Sequence, residues 1–360
     1  MPLKGLPAAP ARSRLEMQPH DTVIDVIAIG ASAGGVEALT ACVRQLPAAL
    51  GAAVLVVMHI PESGTSVLPA ILGRSGPLPV TSARDGEPIE AGHIYVCPPG
   101  HHLTVESGTL HLLHGPRENG HRPAVDPLFR SVAHAYGPRA AGVVLSGARD
   151  DGTAGLGEIK LRGGIAIVQN PEEALYAGMP RNAMTHVEVD AVLPLKDVGF
   201  VLARLAGESP QADLDVVATP GSMARAFPDL EAEGRPSRFT CPDCGGVLYE
   251  YHDGTVDRFA CNIGHAYSFE SLFDEQAHRL ESSLWAAIRS LEDRALLLRR
   301  MELHRTAAGS LRSPQTLEER ARDAAEAQAI RDALRRISAA WIADEDAPAA
   351  VHPAPTEPAA

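Results

Sequence analysis

At 360 residues the chain exceeds one ordinary domain of roughly 150 residues and implies two or three units. Hydrophobic residues make up 45% and charged residues 21%, enough for a buried core, and aromatics at only 4% make that core aliphatic. A net charge of −13 argues against non-specific binding to nucleic acid or an anionic membrane, and no apolar run approaches the ~20 residues a spanning helix needs.

Residues 1–21 are Pro- and Ala-rich, lack the continuous apolar core of a signal peptide, and are expected to be disordered. The five cysteines are too few and too unevenly spread for a disulfide framework. Three of them fall in one short stretch, which points to a metal in a reducing compartment. A cytoplasmic protein with no nucleic-acid partner and no membrane insertion is therefore expected.

The first apolar run, over 23–29, reads as a strand buried on both faces. Gly30-Ala31-Ser32-Ala33-Gly34-Gly35 follows, then a helix over 36–46 and a second buried run over 52–58 ending at His59. Strand, helix, strand is the signature of a parallel sheet. Short strands continue over 93–97, 103–106, 110–113, 141–145, 165–168 and 191–194, with helices over 126–136 and 152–161. Asp126-Pro127 reads as the start of the first of these helices. These elements predict a three-layer α/β/α unit over 22–207 with a mainly parallel, doubly wound sheet.

A Pro-, Gly- and acid-rich stretch over 208–236 reads as a linker. A compact cysteine module is expected over 237–270, a helical hairpin over 271–345 and a disordered tail over 346–360. The first helix of the hairpin carries one apolar stripe: Leu284, Ile288, Leu291, Ala295 and Leu298. The second carries Leu317, Ala321, Ala324, Ala327, Ile330, Leu334, Ile337 and Trp341 after a break over 309–315, and Thr316 with Glu319 resembles a capping box. Burying such stripes favours a hairpin that also offers a surface to a second copy or signalling partner, with packing on the cysteine module alone as the alternative.

Gly30-Ala31-Ser32-Ala33-Gly34 is a G-x-S-x-G turn between strand and helix. Small neighbours allow a sharp turn that exposes the Ser32 hydroxyl beside free N–H groups of the helix start, as a nucleophile needs. A phosphate- or nucleotide-binding loop and a plain glycine turn are the alternatives. Against a dinucleotide, Ser32 stands where the second glycine should be, and the second strand ends in Met58-His59 rather than an acid. A serine nucleophile needs a base and an orienting acid, and functional groups gather at the carboxyl ends of strands in such a sheet. His59 ends the second strand, and Asp150-Asp151 follow the strand over 141–145. The chain has 15 histidines, so position alone does not make His59 catalytic, and the acid pair also suits a helix start. His101, His102, His111, His114 and His121 are irregularly spaced and read as solvated or locally hydrogen-bonded.

Cys241-x₂-Cys244 followed by Cys261-x₃-His265 is two close ligand pairs, the set a tetrahedral Zn²⁺ needs, and Gly245-Gly246 permits the knuckle turn. Free structural thiols are the alternative. The module carries two bases, Arg238 and Arg258, against five acids, so it lacks the basic footprint of a nucleic-acid reader. A structural or protein-docking role suits it better.

Five ordered motifs together resemble the catalytic domain of the CheB-type chemotaxis receptor methylesterases, over residues 23–206. They are 29–35, Met58-His59-Ile60-Pro61, His121-Arg122-Pro123-Ala124-Val125-Asp126, Leu145-Ser146-Gly147 with 150–155, and Gly178-Met179-Pro180-Arg181. The resemblance implies a serine esterase that hydrolyses glutamate methyl esters on chemoreceptor cytoplasmic helices and releases methanol; some members also deamidate glutamine. It implies Ser32 as nucleophile, His59 as general base and acid, Asp151 as orienting carboxylate and the Ala148 N–H as an oxyanion donor, with no cofactor for catalysis. Asp150 stands where the family often has Asn. Where many members read Ser-Thr-Gly-Gly, this chain reads Ser32-Ala33-Gly34-Gly35. Many members also carry a phosphoacceptor receiver domain, whereas about twenty residues precede the first strand here, so phosphorylation control within the chain is not expected. A catalytically weak signalling adaptor that binds receptor helices through the same fold is the rival reading. With every catalytic motif before residue 207, a fragment over 23–206 is expected to hydrolyse esters without the cysteine module.

Overall fold

The computed structural model describes residues 22–207, 234–253, 256–307 and 314–345. The expected disordered ends, nearly all of the linker and most of the break between the last two helices lie outside these residues. Seven strands form one wholly parallel sheet: β1 (Val26–Ala31), β2 (Ala53–Met58), β3 (Val80–Ser82), β4 (Ile94–Val96), β7 (Ala140–Val144), β8 (Ile165–Gln169) and β9 (Ala191–Leu193), in the order β3-β4-β2-β1-β7-β8-β9. The order reverses direction between β1 and β7, and the carboxyl ends of these strands flank the crevice where α/β sheets place their sites.

The strands are continuous apolar runs because both faces are covered. Ile27, Ile29, Val54 and Val56 pack against α1 (Gly35–Arg44), α2 (Leu68–Gly73) and α6 (Leu195–Ala206). Val26, Ala28, Leu55 and Val57 pack on the other side against α3 (Val125–Tyr136), α4 (Thr153–Leu161), α5 (Gly178–His186) and the hairpin β5–β6 (His102–Glu106, Thr109–Leu113). The three-layer α/β/α architecture expected from the sequence is thus the one that forms. The first strand starts later than the apolar run and continues through Ala31, which leaves Ser32 as the residue just beyond its end.

The cysteine module folds as a four-stranded antiparallel sheet, β10 (Arg235–Thr240), β11 (Val247–Asp253), β12 (Val256–Cys261) and β13 (Ala266–Tyr267). It begins two residues before the expected boundary and belongs to the same compact unit as the parallel sheet, residues 1–273. Its small core is Cys241, Leu248, Phe259, Cys261, Tyr267 and Leu272.

Residues 274–360 form a second unit. It contains most of α7 (Phe269–Ala307) and all of α8 (Pro314–Glu345), so Thr316 lies inside a helix rather than at its cap. Ile288 and Ala327 are buried together, with Leu284, Leu291 and Ile330 around them. Arg294 Nε reaches Asp323 Oδ2 at 2.8 Å, and Arg331 pairs with Glu292. These pairings run antiparallel, as in a hairpin. Ala321 and Ala324 are exposed, and the expected stripe residues Leu317, Leu334, Ile337 and Trp341 have side chains outside the described set.

Candidate active site

Three strand ends bring together the residues singled out above. Ser32 follows β1, His59 follows β2, and Asp151 lies in the turn between β7 and α4. Gly34 adopts φ 71°, a conformation few side chains accept, and a Cβ there would lie 2.7 Å from Ser146 Oγ. The turn is laced to the neighbouring strand: Ser32 N donates to Ser146 O at 2.9 Å, and Ser146 Oγ donates to Ala33 O at 2.8 Å.

His59 Nδ1 lies 3.1 Å from Ser32 Oγ, and His59 Nε2 lies 2.6 Å from Asp151 Oδ2. With Nε2–H donated to Asp151, the Nδ1 lone pair faces the Ser32 hydroxyl. The ring is thus turned end for end relative to the serine-protease template, with the same division of labour.

Asp151 is buried and accepts from five donors. Oδ2 takes His59 Nε2 and, at 2.7 Å, Val125 N; Oδ1 takes Asn119 Nδ2 at 2.8 Å, Gly152 N at 3.0 Å and Asp126 N at 3.2 Å. Val125 and Asp126 are the first two residues of α3, so the carboxylate also sits at a helix N-terminus. Burial pushes its pKa up, but the hydrogen bond and charge of His59 and the Val125 N–H outweigh this and hold it well below the usual carboxylate range. Asp151 is therefore an ionised, immobile partner for the imidazole.

Asp150 points elsewhere: its Oδ1 accepts from Ser268 Oγ at 2.9 Å, and burial raises its pKa. The amide N–H groups of Ala33 and Ala148 make no hydrogen bond to protein among the described residues. Gly147 packs close, since a Cβ there would meet Ser32 Cβ at 3.0 Å.

Sequence reasoning missed two neighbours. His121 is not a solvated loop histidine. Its ring stacks on His59 with centroids 3.7 Å apart and planes 17° from parallel, and burial, with His59 beside it, pushes its pKa down to about 3. Irregular histidine spacing gave no hint of this, although His121 opens one of the motifs that carry the resemblance. Asn119 left no signal at all. Asp126 stands at the start of its helix as expected, but it is buried there, and its Oδ1 accepts Gly155 N at 2.8 Å, in the first turn of α4.

In the cysteine module, ligand atoms of Cys241, Cys244, Cys261 and His265 all lie within 4.8 Å of one another. Cys244 Sγ is 3.6 Å from Cys261 Sγ, and His265 Nδ1 is 3.6 Å and 3.4 Å from the sulfurs of Cys241 and Cys261. A tetrahedron of ligands ~2.3 Å from a central ion has edges of about 3.8 Å, so the donor set fits a metal of that kind. The cysteines form no disulfide.

The parallel sheet and a serine, histidine and aspartate gathered at its carboxyl ends place the chain among doubly wound α/β proteins. The family model for CheB methylesterase matches residues 27–202. A Leptospira interrogans relative, assigned as a protein-glutamate methylesterase/protein-glutamine glutaminase, is 37% identical over 182 residues, half of this chain and 94% of its own length. The chain belongs to the CheB methylesterase family. Proteins named protein-glutamate methylesterase/protein-glutamine glutaminase 2 from Methanosarcina acetivorans and Anaeromyxobacter dehalogenans are each 38% identical, over 51% and 55% of this chain. The chain spans about half the length of these two, 54% and 56%. The crystal structure of the Thermotoga maritima CheB methylesterase catalytic domain, 31% identical, covers 51% of this chain and 100% of that one, with a TM-score of 0.49.

Proposed function

We propose that this protein is a serine esterase that hydrolyses glutamate methyl esters on chemoreceptor-type signalling proteins, releasing methanol, and that it also deamidates glutamine side chains. The supporting observation is the continuous relay from Ser32 through His59 to Asp151 at 3.1 Å and 2.6 Å. Ser32 Oγ attacks the γ-carbonyl carbon while His59 Nδ1 takes its proton. Asp151 stabilises the imidazolium and fixes the ring. The N–H groups of Ala33 and Ala148 are suited to hold the oxyanion. The imidazolium then protonates the leaving methoxide, and water activated by the same ring hydrolyses the acyl-enzyme. A glutamine amide follows the same course and loses ammonia. No cofactor is required for these steps.

The partners are methylated receptor helices, and the protein works in the cytoplasm, with a separate signalling partner as a further candidate. Among the described residues no helix is long and apolar enough to cross a membrane. A structural Zn²⁺ is assigned to Cys241, Cys244, Cys261 and His265, where it would contribute folding energy. The test is methanol release from a methylated receptor fragment. Ser32→Ala and His59→Ala should each remove nearly all activity, and the double variant should be little worse, because groups that act as a unit lose their effect together. A folded Ser32→Ala protein with most of its activity would overturn the mechanism.

A further inference from the structure

The cysteine module reaches the floor of the candidate active site. Arg258, three residues before Cys261 of the proposed metal site, is a large, fully buried side chain on β12. Its Nη1 donates to Asp126 Oδ2 at 2.6 Å, its Nη2 donates to Asn119 Oδ1 at 2.9 Å, and Nη2 also lies 3.0 Å from Glu118 Oε1. Burial works against its charge, but Glu118 and Asp126 hold it protonated well above the ordinary arginine range.

Asn119 is the relay. Its carbonyl oxygen takes the Arg258 hydrogen bond, which leaves the amide nitrogen to donate to Asp151 Oδ1 at 2.8 Å and to Asp126 Oδ2 at 3.0 Å. An amide can turn over, and the buried cation on its oxygen side fixes which end faces Asp151. The backbone repeats the connection: Asn119 N donates to the carbonyl of Ala266, the first residue of β13, at 2.8 Å, and Ser268 N donates to Asn119 Oδ1 at 3.3 Å. Three buried acids, Glu118, Asp126 and Asp151, thus converge, and Arg258 joins Arg130 of α3, which lies 2.7 Å from Glu118, as a buried cation among them.

We infer that the cysteine module completes the active-site scaffold, with Arg258 as a positioning residue that orients Asn119 and through it the carboxylate of Asp151. This rests on the esterase reading above. It also reverses the expectation that a fragment over 23–206 would be self-sufficient, because such a fragment lacks the cation. The metal centre enters by the same route: the ligands that fold the module fix the strand carrying Arg258.

The test uses the full chain. Arg258→Gln should lower kcat about 10- to 100-fold, the range seen when outer-shell support is removed, with KM for a methylated receptor fragment unchanged. Asn119→Ala, which leaves the Arg258–Asp126 pair in place, should lose kcat alike, and Arg258→Lys should fall between. Arg258→Gln added to Asp151→Asn should cost little more than Asp151→Asn alone, because the support has nothing left to hold. Hydrogen exchange at the Val125 and Asp126 amides should quicken in Arg258→Gln with zinc content unchanged. If that variant loses its zinc, the Asn119 and Lys variants carry the test. Wild-type kcat in the Arg258 and Asn119 variants, or losses that simply add to that of Asp151→Asn, would overturn the inference and leave the esterase reading intact. A harmless Asp151→Asn would sink the esterase relay itself.

Discussion

His121 lies flat on His59 and stays neutral, because burial disfavours its charged form and a charge on His59 beside it would repel a second. Its proton affinity sets a pH signature. The unfolded chain binds a proton to His121 near pH 6.5, the folded chain only near 3. Between these values the unfolded state holds more protons, so stability is present above about 6.5 and is lost as pH falls toward 3. Asp126, pushed up to about 7 by burial against the pull of Arg258, acts with the opposite sign over roughly pH 4 to 7. His121→Asn should therefore flatten the acid loss of stability relative to the parent, read as the difference in urea midpoint between pH 6.5 and 4. Parallel curves for the two proteins would remove His121 from this role. Ser32, His59 and Asp151 were legible in the sequence because each sits at a strand end that the apolar runs mark. Asn119 and His121 were not, because they lie in a loop after a hairpin, where no periodicity assigns a direction to a side chain. Arg258 was counted only as one of two bases in an acidic module; nothing local distinguishes a buried arginine from a solvated one.

The closeness of β1 and α3 places the N-terminus of α3 over Asp151. Gly30 makes that contact possible, since a Cβ there would lie 2.3 Å from Val125 Cγ1 and 3.2 Å from its Cβ. Val125 is β-branched and cannot swing aside cheaply. Gly30→Ala should destabilise the protein by about 1–3 kcal/mol, as overpacking does, and should slow hydrolysis because the Val125 N–H moves off the carboxylate. Denaturant unfolding and methanol release on the same variant check both parts; full activity would mean α3 adjusts freely. At this scale the parallel pairing followed from strand, helix, strand alternation, and both layers of helices were implied by strands without polar faces, whereas the strand order was not read. The segment between β2 and β4 was not read. β3 is a three-residue edge strand with a largely exposed pattern, so it lacks the apolar run that marked the others. Helices α5 and α6 also went unread; in α5 only Met179, Pro180 and Ala183 are buried, too sparse a stripe to recognise.

Across the molecule, the cysteine module is expected to hold one Zn²⁺ per chain. Chelation should release it and lower the melting temperature, because ligand gathering is part of folding. Elemental analysis of a Cys241→Ser, Cys244→Ser variant that still retained the metal would exclude these ligands. In the C-terminal unit, Ile288 is 2% exposed and meets Ala327. Ile288→Asp buries a charge in that seam and should reduce the helical far-ultraviolet signal of the full chain. An unchanged signal would mean the seam contributes little. The stripe on the first of these helices was legible because its spacing held over five positions. On the second, Ala321 and Ala324 proved exposed, since alanine matches any helix face and so marks none.

The link from Arg258 to Asp126 and Asn119 joins residues made at different times. A ribosome adds roughly 5–20 residues per second, so the 107 residues from 151 to 258 take about 5–20 s. During that interval the parallel sheet can assemble around acids whose counter-ion has not yet been synthesised. The surroundings of Asp151 are therefore expected to mature late, once β12 has been made and brings Arg258 to acids laid down much earlier.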